Sequence, residues 1–257
     1  MKVDLNSDLG ESFGAWTMGN DEAMLDIVTS ANIACGFHAG DPIVMHRTMA
    51  AAQARGVSVG AHPGFLDLWG FGRRPIQGED PADIEKIVVY QIGAAVAVAT
   101  ATGGRVTHVK PHGSMSNMAM VDPDLADAIA RAVHTVDRDL ILVAMPGLEL
   151  ETAGLRHGLT IAREVFADRT YDDDGNLTSR KKEGAVIHDA AAAAARVLRM
   201  IEEQAVTTVS GRKLPVRIDT ICVHGDNPQA VAMARTIRTS LEAAGVELRP
   251  FVEFVRS

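Results

Sequence analysis

Cysteine is nearly absent from this chain. Two residues, Cys35 and Cys222, stand in a sequence of 257, too few for a disulfide framework. Both lie in apolar strand-like runs, where a thiol packs as a small buried hydrophobe. No low-pKa setting that would mark a catalytic thiol is visible around either. Excess basic charge is also missing. Lys and Arg number 25 against 33 Asp and Glu, a net charge of −8, and the basic residues are scattered, which argues against a nucleic-acid partner. The acidity favours solubility and says little about substrate. The longest apolar stretch, Ile87 to Ala99, is interrupted by Gln91 and is too short to span a bilayer. Met1-Lys2-Val3-Asp4 enters a charged strand at once, without a signal peptide. The expectation is a cytoplasmic protein with no membrane contact. Phosphate loops of the G-x-x-x-x-G-K-[ST] or G-x-G-x-x-G type do not occur. Nor does the G-x-S-x-G elbow of a serine hydrolase. No linker-like composition divides the chain, so residues 1–257 read as a single domain.

What is present is a repeated device. Apolar strand-like runs end in tight polar clusters at Asp4-Leu5-Asn6-Ser7-Asp8, Ile33–His38, Val59–His62, His108–His112, Ile161–Glu164 and Ile221–Asp226. Side chains alternate faces along a strand. Asp4, Asn6 and Asp8 therefore share one face, as do Asn32, Gly36 and His38. His108, Lys110 and His112 form a third such set, and Cys222, His224 and Asp226 a fourth. Strands are expected near residues 2–7, 31–37, 57–62, 105–110, 139–145, 159–165 and 217–224. Helical patterns separate them. Asp41-Pro42, Asp80-Pro81, Asp122-Pro123 and Asn227-Pro228 each place a capping side chain before a first-turn proline. Gly56, Gly103-Gly104 and Gly245 supply stops. Further helices are expected over Asp21–Thr29, near Leu148–Arg156 and from Ala185 to Glu203, with an extended piece near Val246–Phe254.

Strict alternation of strand and helix implies a parallel sheet covered by helices. An open sheet collects reactive groups at one switch point, whereas a barrel draws them from many strand ends at one face. Here nearly every strand ends in reactive side chains. The fold expected is α/β, a seven-stranded parallel (β/α) barrel. The segment after the sixth strand, 166–184, holds the turn cluster Asp172-Asp173-Asp174-Gly175-Asn176 and basic Arg180-Lys181-Lys182, and reads as a lid loop.

Buried polar groups without partners cost several kcal/mol, so Asp4 and Asn6 within a strand imply a polar network with Asp8 and Glu11. His38 and His62 are framed by small residues that let a ligand approach. His108 and His112 spell H-x-x-x-H, but four residues of strand span about 13 Å, too far to share an ion. A metal site of Asp8, His38 and His62 remains open. Lys110 inside a strand would either pair with Asp4 or Glu164 or stabilise developing negative charge. Arg73-Arg74, flanked by glycine, could cradle a phosphate or carboxylate.

Together these motifs resemble one family. Asp4–Glu11, Ala31–Pro42, Gly60–Gly64, Gly70–Arg74, Lys110–Gly113, Phe166–Tyr171 and Val223–Asp226 are similar to the LamB/YcsF family over nearly the whole chain. Ser7 stands where the family usually has cysteine, and Ser116 where it usually has tyrosine. The resemblance implies a seven-stranded β/α barrel of the glycoside hydrolase/deacetylase superfamily. It also implies ATP-dependent opening of 5-oxoproline to L-glutamate with partner subunits B and C, with Mg²⁺ accompanying ATP. In that chemistry Asp8 and His62 are expected to activate water. Lys110, Arg73 and Arg74 would offset negative charge, while His112, His224 or Asp226 would protonate the departing ring nitrogen. His38 joins this catalytic ring. Asp4, Asn6, Glu11, Asn32, Glu164 and Arg169, with the two arginines, are expected to bind substrate. Two other classes compete: a metal-dependent deacetylase of N-acetyl sugars, and a non-catalytic subunit that binds a cyclic amide.

Overall fold

The computed structural model describes residues 1–255. Seven strands close into a parallel barrel: β1 (Lys2–Leu9), β2 (Ser30–Ala34), β3 (Ser58–His62), β4 (Val106–Val109), β5 (Ile141–Ala144), β6 (Thr160–Phe166) and, last in the ring, β9 (Thr220–Cys222). Pairing of β1 with β9 completes the circle, with Asp4 opposite Thr220 and Asn6 opposite Cys222. A short antiparallel hairpin, β7 (Ala205–Thr207) and β8 (Lys213–Pro215), lies outside the ring, and β10 (Glu247–Leu248) extends the start of β1.

The outer helices are α1 (Asp21–Leu25), α2 (Pro42–Ala54), α3 (Pro81–Ala101), α4 (Gly113–Ala119), α5 (Pro123–Val136), α6 (Glu149–Arg156), α7 (Ala190–Glu203) and α8 (Pro228–Ala243). Their starts follow the sequence signals. Asp41, Asp80, Asp122 and Asn227 each accept a backbone N–H of the first turn with their side chains, and a proline occupies that turn. Helix α3 is the longest, at 21 residues, and an 18-residue window within it has mean hydropathy 1.4. By length and composition alone it could cross a bilayer, so the 13-residue apolar stretch understates it. In the fold it is a barrel helix: Ile84, Val88, Ile92, Ala95 and Ala99 form a buried stripe at three- and four-residue spacing.

The inward faces of the strands divide the barrel interior. At its base Phe251, in a 3₁₀ turn (Phe251–Glu253), is fully buried with Ile141, Val143 and Ala162 and plugs the opening. Above it the interior is polar and opens at the C-terminal strand ends.

Four segments depart from the sequence reading. The C-terminal piece is extended for two residues only before the 3₁₀ turn. Helix α7 begins at Ala190 rather than Ala185, because Asp189 caps it and Val186 bridges to Arg169. The hairpin β7/β8 has no sequence signal, because three residues per strand show no alternation. Helix α4, seven residues long, follows directly on His112, and no capping side chain announces it.

Candidate active site

The polar network is built from the inside of the barrel upward. Lys110, just beyond β4, places Nζ 3.0 Å from Asp8 Oδ1 and 2.7 Å from Glu164 Oε1. The same ammonium donates to Asn6 Oδ1 at 3.2 Å and to Cys222 Sγ at 3.2 Å. Asn32 holds the acid from the side: its Nδ2 donates to Asp8 Oδ1 at 2.9 Å and to Asn6 Oδ1 at 2.8 Å. Asn6 Nδ2 donates in turn to Glu164 Oε1 at 2.9 Å and Thr220 Oγ1 at 2.8 Å. Beneath Asn32 lies His108, whose Nε2–H donates to Asn32 Oδ1 at 3.0 Å. Burial pushes the His108 pKa down to about 3, so the ring is neutral. Gly60 makes room for it, since a Cβ there would stand 2.1 Å from His108 Nε2.

Burial works to protonate Asp8, but the charges of His62 and Lys110 prevail and hold its pKa well below the usual carboxylate range. Burial likewise opposes the charge on Lys110, while Asp8 and Glu164 raise its pKa well above that of free lysine. Both groups are therefore ionised throughout the physiological range.

Three imidazoles crowd the mouth beside this pair. His62 ends β3; its Nδ1–H donates to the Lys110 carbonyl at 2.6 Å, and its Nε2 lies 3.3 Å from Asp8 Oδ2. His112 Nε2–H donates to the Phe71 carbonyl at 2.8 Å, which leaves Nδ1 3.0 Å from His62 Nε2. His38 stacks on His112 with ring centroids 3.6 Å apart, and its Nε2 is 3.2 Å from Glu11 Oε1. Burial pushes the pKa values of His38 and His112 well down and that of Glu11 up. Burial also opposes a proton on His62, but Asp8 outweighs it and raises the His62 pKa. Gly72 shapes this cluster. Its φ is +60°, and a Cβ there would meet His38 Cβ at 2.6 Å and His112 Cδ2 at 2.8 Å. One ligand atom from each of Glu11, His38, His62 and His112 lies within 4.8 Å of the others, so a metal ion could be held by a subset of them.

Two cavities open above. One of about 310 Å³ is lined by Asp8, Glu11, Phe71, Arg73 and Asp226 among others. The second, about 390 Å³, is bordered by Asp168, Arg180, His224, Asp226 and the start of α8. Asp226 belongs to both. His224 Nδ1 lies 2.8 Å from Asp168 Oδ2, and this bond raises the His224 pKa against the effect of burial.

The structure thus gathers Asp8, Glu11, His38, His62, Lys110, His112, His224 and Asp226 at one mouth, with Arg73 on its wall. Asn6, Asn32 and Glu164 lie beneath, where they hold Asp8 and Lys110. Three substrate-binding expectations are corrected. Asp4 sits deeper, fully buried, and accepts hydrogen bonds from Thr29, Ser30 and Thr220 hydroxyls. Arg74 turns outward to Asp67, with its Nε 2.8 Å from Asp67 Oδ1. Arg169 is buried and donates to the Thr178 carbonyl at 2.7 Å and the Ala185 carbonyl at 3.4 Å, which fastens the loop after β6. Of the candidate metal set Asp8, His38 and His62, Asp8 gives Oδ1 to Lys110 and Asn32 and keeps Oδ2 3.3 Å from His62 Nε2.

Sequence reasoning missed Asp168 as the partner of His224, His108 as the support of Asn32, and the Phe71 carbonyl as the anchor of His112. Asp168 carried a signal in its place just after β6. A backbone carbonyl carries none.

Residues 3–256 match the LamB/YcsF family. The chain is 57% identical over 251 residues to the A subunit of 5-oxoprolinase from Rhodopseudomonas palustris (strain BisB5), covering 98% of this chain and 99% of that one. Among solved structures it is similar to the lactam utilization protein of Thermus thermophilus, with TM-score 0.92, 45% identity and coverage of 97% and 99%. A mutant of a CE4-family pseudoenzyme with restored enzymatic activity, 12% identical with TM-score 0.52 over 99% of this chain and 67% of its own, shares the fold alone. The chain belongs to the LamB/YcsF family.

Proposed function

We propose that this chain opens the lactam ring of 5-oxoproline to give L-glutamate, in an ATP-dependent reaction carried out with partner subunits B and C. The names of its relatives support the substrate class. The observation that carries the reading is the Asp8–Lys110 pair at 3.0 Å, set beneath a cavity walled by Arg73. That cavity is large enough for a small cyclic amide, and Arg73 can pair with the substrate's carboxylate.

Amide resonance protects a lactam from water. Transfer of the γ-phosphoryl of ATP, with its Mg²⁺, to the lactam oxygen forms an O–P bond, releases ADP and leaves an electrophilic C5. Asp8 accepts a proton from water as that water adds to C5. The Lys110 ammonium offsets the charge on the resulting tetrahedral centre. Protonation of the ring nitrogen by His224 breaks the C5–N bond and gives an acyl phosphate. A second water then releases phosphate and glutamate. His224 suits this task because its bond to Asp168 raises its pKa against the effect of burial, which favours the protonated ring. Arg180 and the N-terminus of α8 border the same cavity and favour a phosphoryl group there. The tip of segment 166–184 around Arg180 acts as the lid, while Tyr171 and Arg169 are buried and anchor its base.

The test is an assay of ADP and glutamate release from 5-oxoproline, with subunits B and C supplied. Turnover that requires all three chains and ATP is expected. Zinc-dependent release of acetate from N-acetyl sugars, without lactam turnover, would replace this reading with a deacetylase. Tight lactam binding without turnover would replace it with a non-catalytic binding role.

A further inference from the structure

Two ring nitrogens at the barrel mouth, His62 Nε2 and His112 Nδ1, lie 3.0 Å apart. The His62 Nδ1–H is committed to the Lys110 carbonyl at 2.6 Å, and the His112 Nε2–H to the Phe71 carbonyl at 2.8 Å. A carbonyl only accepts, so each bond fixes its ring's tautomer. In the neutral rings, the remaining nitrogens, His62 Nε2 and His112 Nδ1, both carry bare lone pairs. Glu11 Oε1 stands 3.6 Å from His112 Nδ1, and one ligand atom from each of Glu11, His62 and His112 lies within 4.8 Å of the others.

We propose that His62 Nε2, His112 Nδ1 and Glu11 Oε1 form a binding site for a first-row divalent metal ion of the zinc, cobalt or manganese class. Three arguments converge. The first is spacing: with metal–ligand bonds of about 2.0–2.1 Å in a tetrahedral shell, neighbouring donors lie about 3.3 Å apart. The separations of 3.0 and 3.6 Å bracket that value. The second is ring orientation. A lone pair lies in the plane of its imidazole, and the His62 and His112 planes cross at 89°, so one point can lie in both. His38 is excluded as a fourth ligand alongside His112, because those two planes are parallel to within 3° at 3.6 Å.

The third argument is the outer shell. Histidines that bind metal nearly always donate the other ring N–H to a carbonyl or carboxylate, and ligating carboxylates are themselves hydrogen-bonded. Here His62 and His112 donate to backbone carbonyls, and His38 Nε2–H donates to Glu11 Oε1 at 3.2 Å. His38 is thus a positioning residue. Two imidazoles and one carboxylate, with the remaining positions facing the cavity that Glu11 and Asp8 line, are the donor set of hydrolytic zinc sites. An ion there would make bound water more acidic, next to Asp8 Oδ2 at 3.3 Å from His62 Nε2. A proton on His62 satisfies the same lone pairs, so metal and proton compete for the site and binding releases a proton.

The site stands apart from the ring-opening reading, and its test needs no turnover. The full chain is stripped with chelator, checked for folding by circular dichroism, and titrated with Co²⁺ and Zn²⁺. Visible absorption and bound-metal analysis are the readouts. We expect one ion per chain, with ligand-field bands of a four- or five-coordinate cobalt centre. His62→Ala, His112→Ala and Glu11→Gln should lose the bands while remaining folded. His38→Gln should bind about 10–100-fold more weakly, and the surface variant His134→Ala should bind as the parent does. A folded chain that retains neither ion at micromolar concentration holds only a proton at this pair, and that result overturns the proposal. Stoichiometric binding unchanged in all three ligand variants would overturn it equally.

Discussion

Lys110 Nζ lies 3.0 Å from Asp8 Oδ1 inside a closed barrel, with only 6% of the lysine side chain exposed. Glu164 shares that ammonium at 2.7 Å. Removing one member of a buried ion pair leaves an uncompensated charge and costs about 3–5 kcal/mol. Lys110→Met should therefore destabilise the chain by that amount in urea unfolding. The triple change with Asp8→Asn and Glu164→Gln should recover much of the loss. A single variant as stable as the parent would show that the three groups are not coupled as described.

Asp4 predicts a pH dependence. Burial raises its pKa from 3.8 to about 6 against the lowering effect of the Ser30, Thr220 and Thr29 hydroxyls. Below pH about 4 the carboxyl is protonated in both the folded and unfolded chain. Between about 4 and 6 the folded chain holds a proton that the unfolded chain has released, so this contribution to stability falls as pH rises. The loss levels off near pH 7 at about 3 kcal/mol. Asp4→Asn has no such titration. Its stability relative to the parent should improve by about that amount from pH 4 to 7, read from urea curves at several pH values. A difference that stays flat across this window would contradict the assignment.

Ser7 is fully buried on β1, and its hydroxyl has no hydrogen-bond partner among the described residues. An unsatisfied buried hydroxyl costs about 1–3 kcal/mol. Cysteine offers similar size with little hydrogen-bonding demand. Ser7→Cys should raise the thermal midpoint, with a gain of about 1 kcal/mol. A lower midpoint would point to a partner for the hydroxyl.

Arg73 and Arg74 are neighbours with different tasks. Arg73 lines the cavity that holds Asp8 and Glu11, whereas Arg74 pairs with Asp67. Arg73→Gln should raise KM for an anionic lactam by about tenfold or more, the loss of one charge-assisted contact of about 1.5–3 kcal/mol. Arg74→Gln should leave KM unchanged and change stability little, since its side chain is 64% exposed and its pairing with Asp67 is screened by solvent. Equal effects on KM would mean that the loop presents both.

Much of this site could be read from the sequence because strand geometry is periodic. Alternation put Asp4, Asn6 and Asp8 on one face, and the barrel turns that face inward. Depth could not be read in the same way. Asp4 and Asp8 share a face, yet one is caged by hydroxyls near the plugged base and the other meets Lys110 at the mouth. The two arginines are adjacent in sequence, and only Asp67 separates their directions. The His62–His112 contact was hidden because strand pairing sets it: Ala61 pairs with Val109, which brings two distant strand ends together. Short elements such as β7, β8 and α4 carry too few residues for any period to emerge.

The most direct measurement of the central claim is glutamate release from 5-oxoproline by the chain with subunits B and C and ATP, run beside His224→Gln and Asp8→Asn. The account predicts ADP and glutamate in equal amounts from the parent. Both folded variants should lose at least about 100-fold in kcat, as when a proton-transferring group is removed. Full turnover by either variant, or ATP hydrolysis without glutamate from the parent complex, would contradict it.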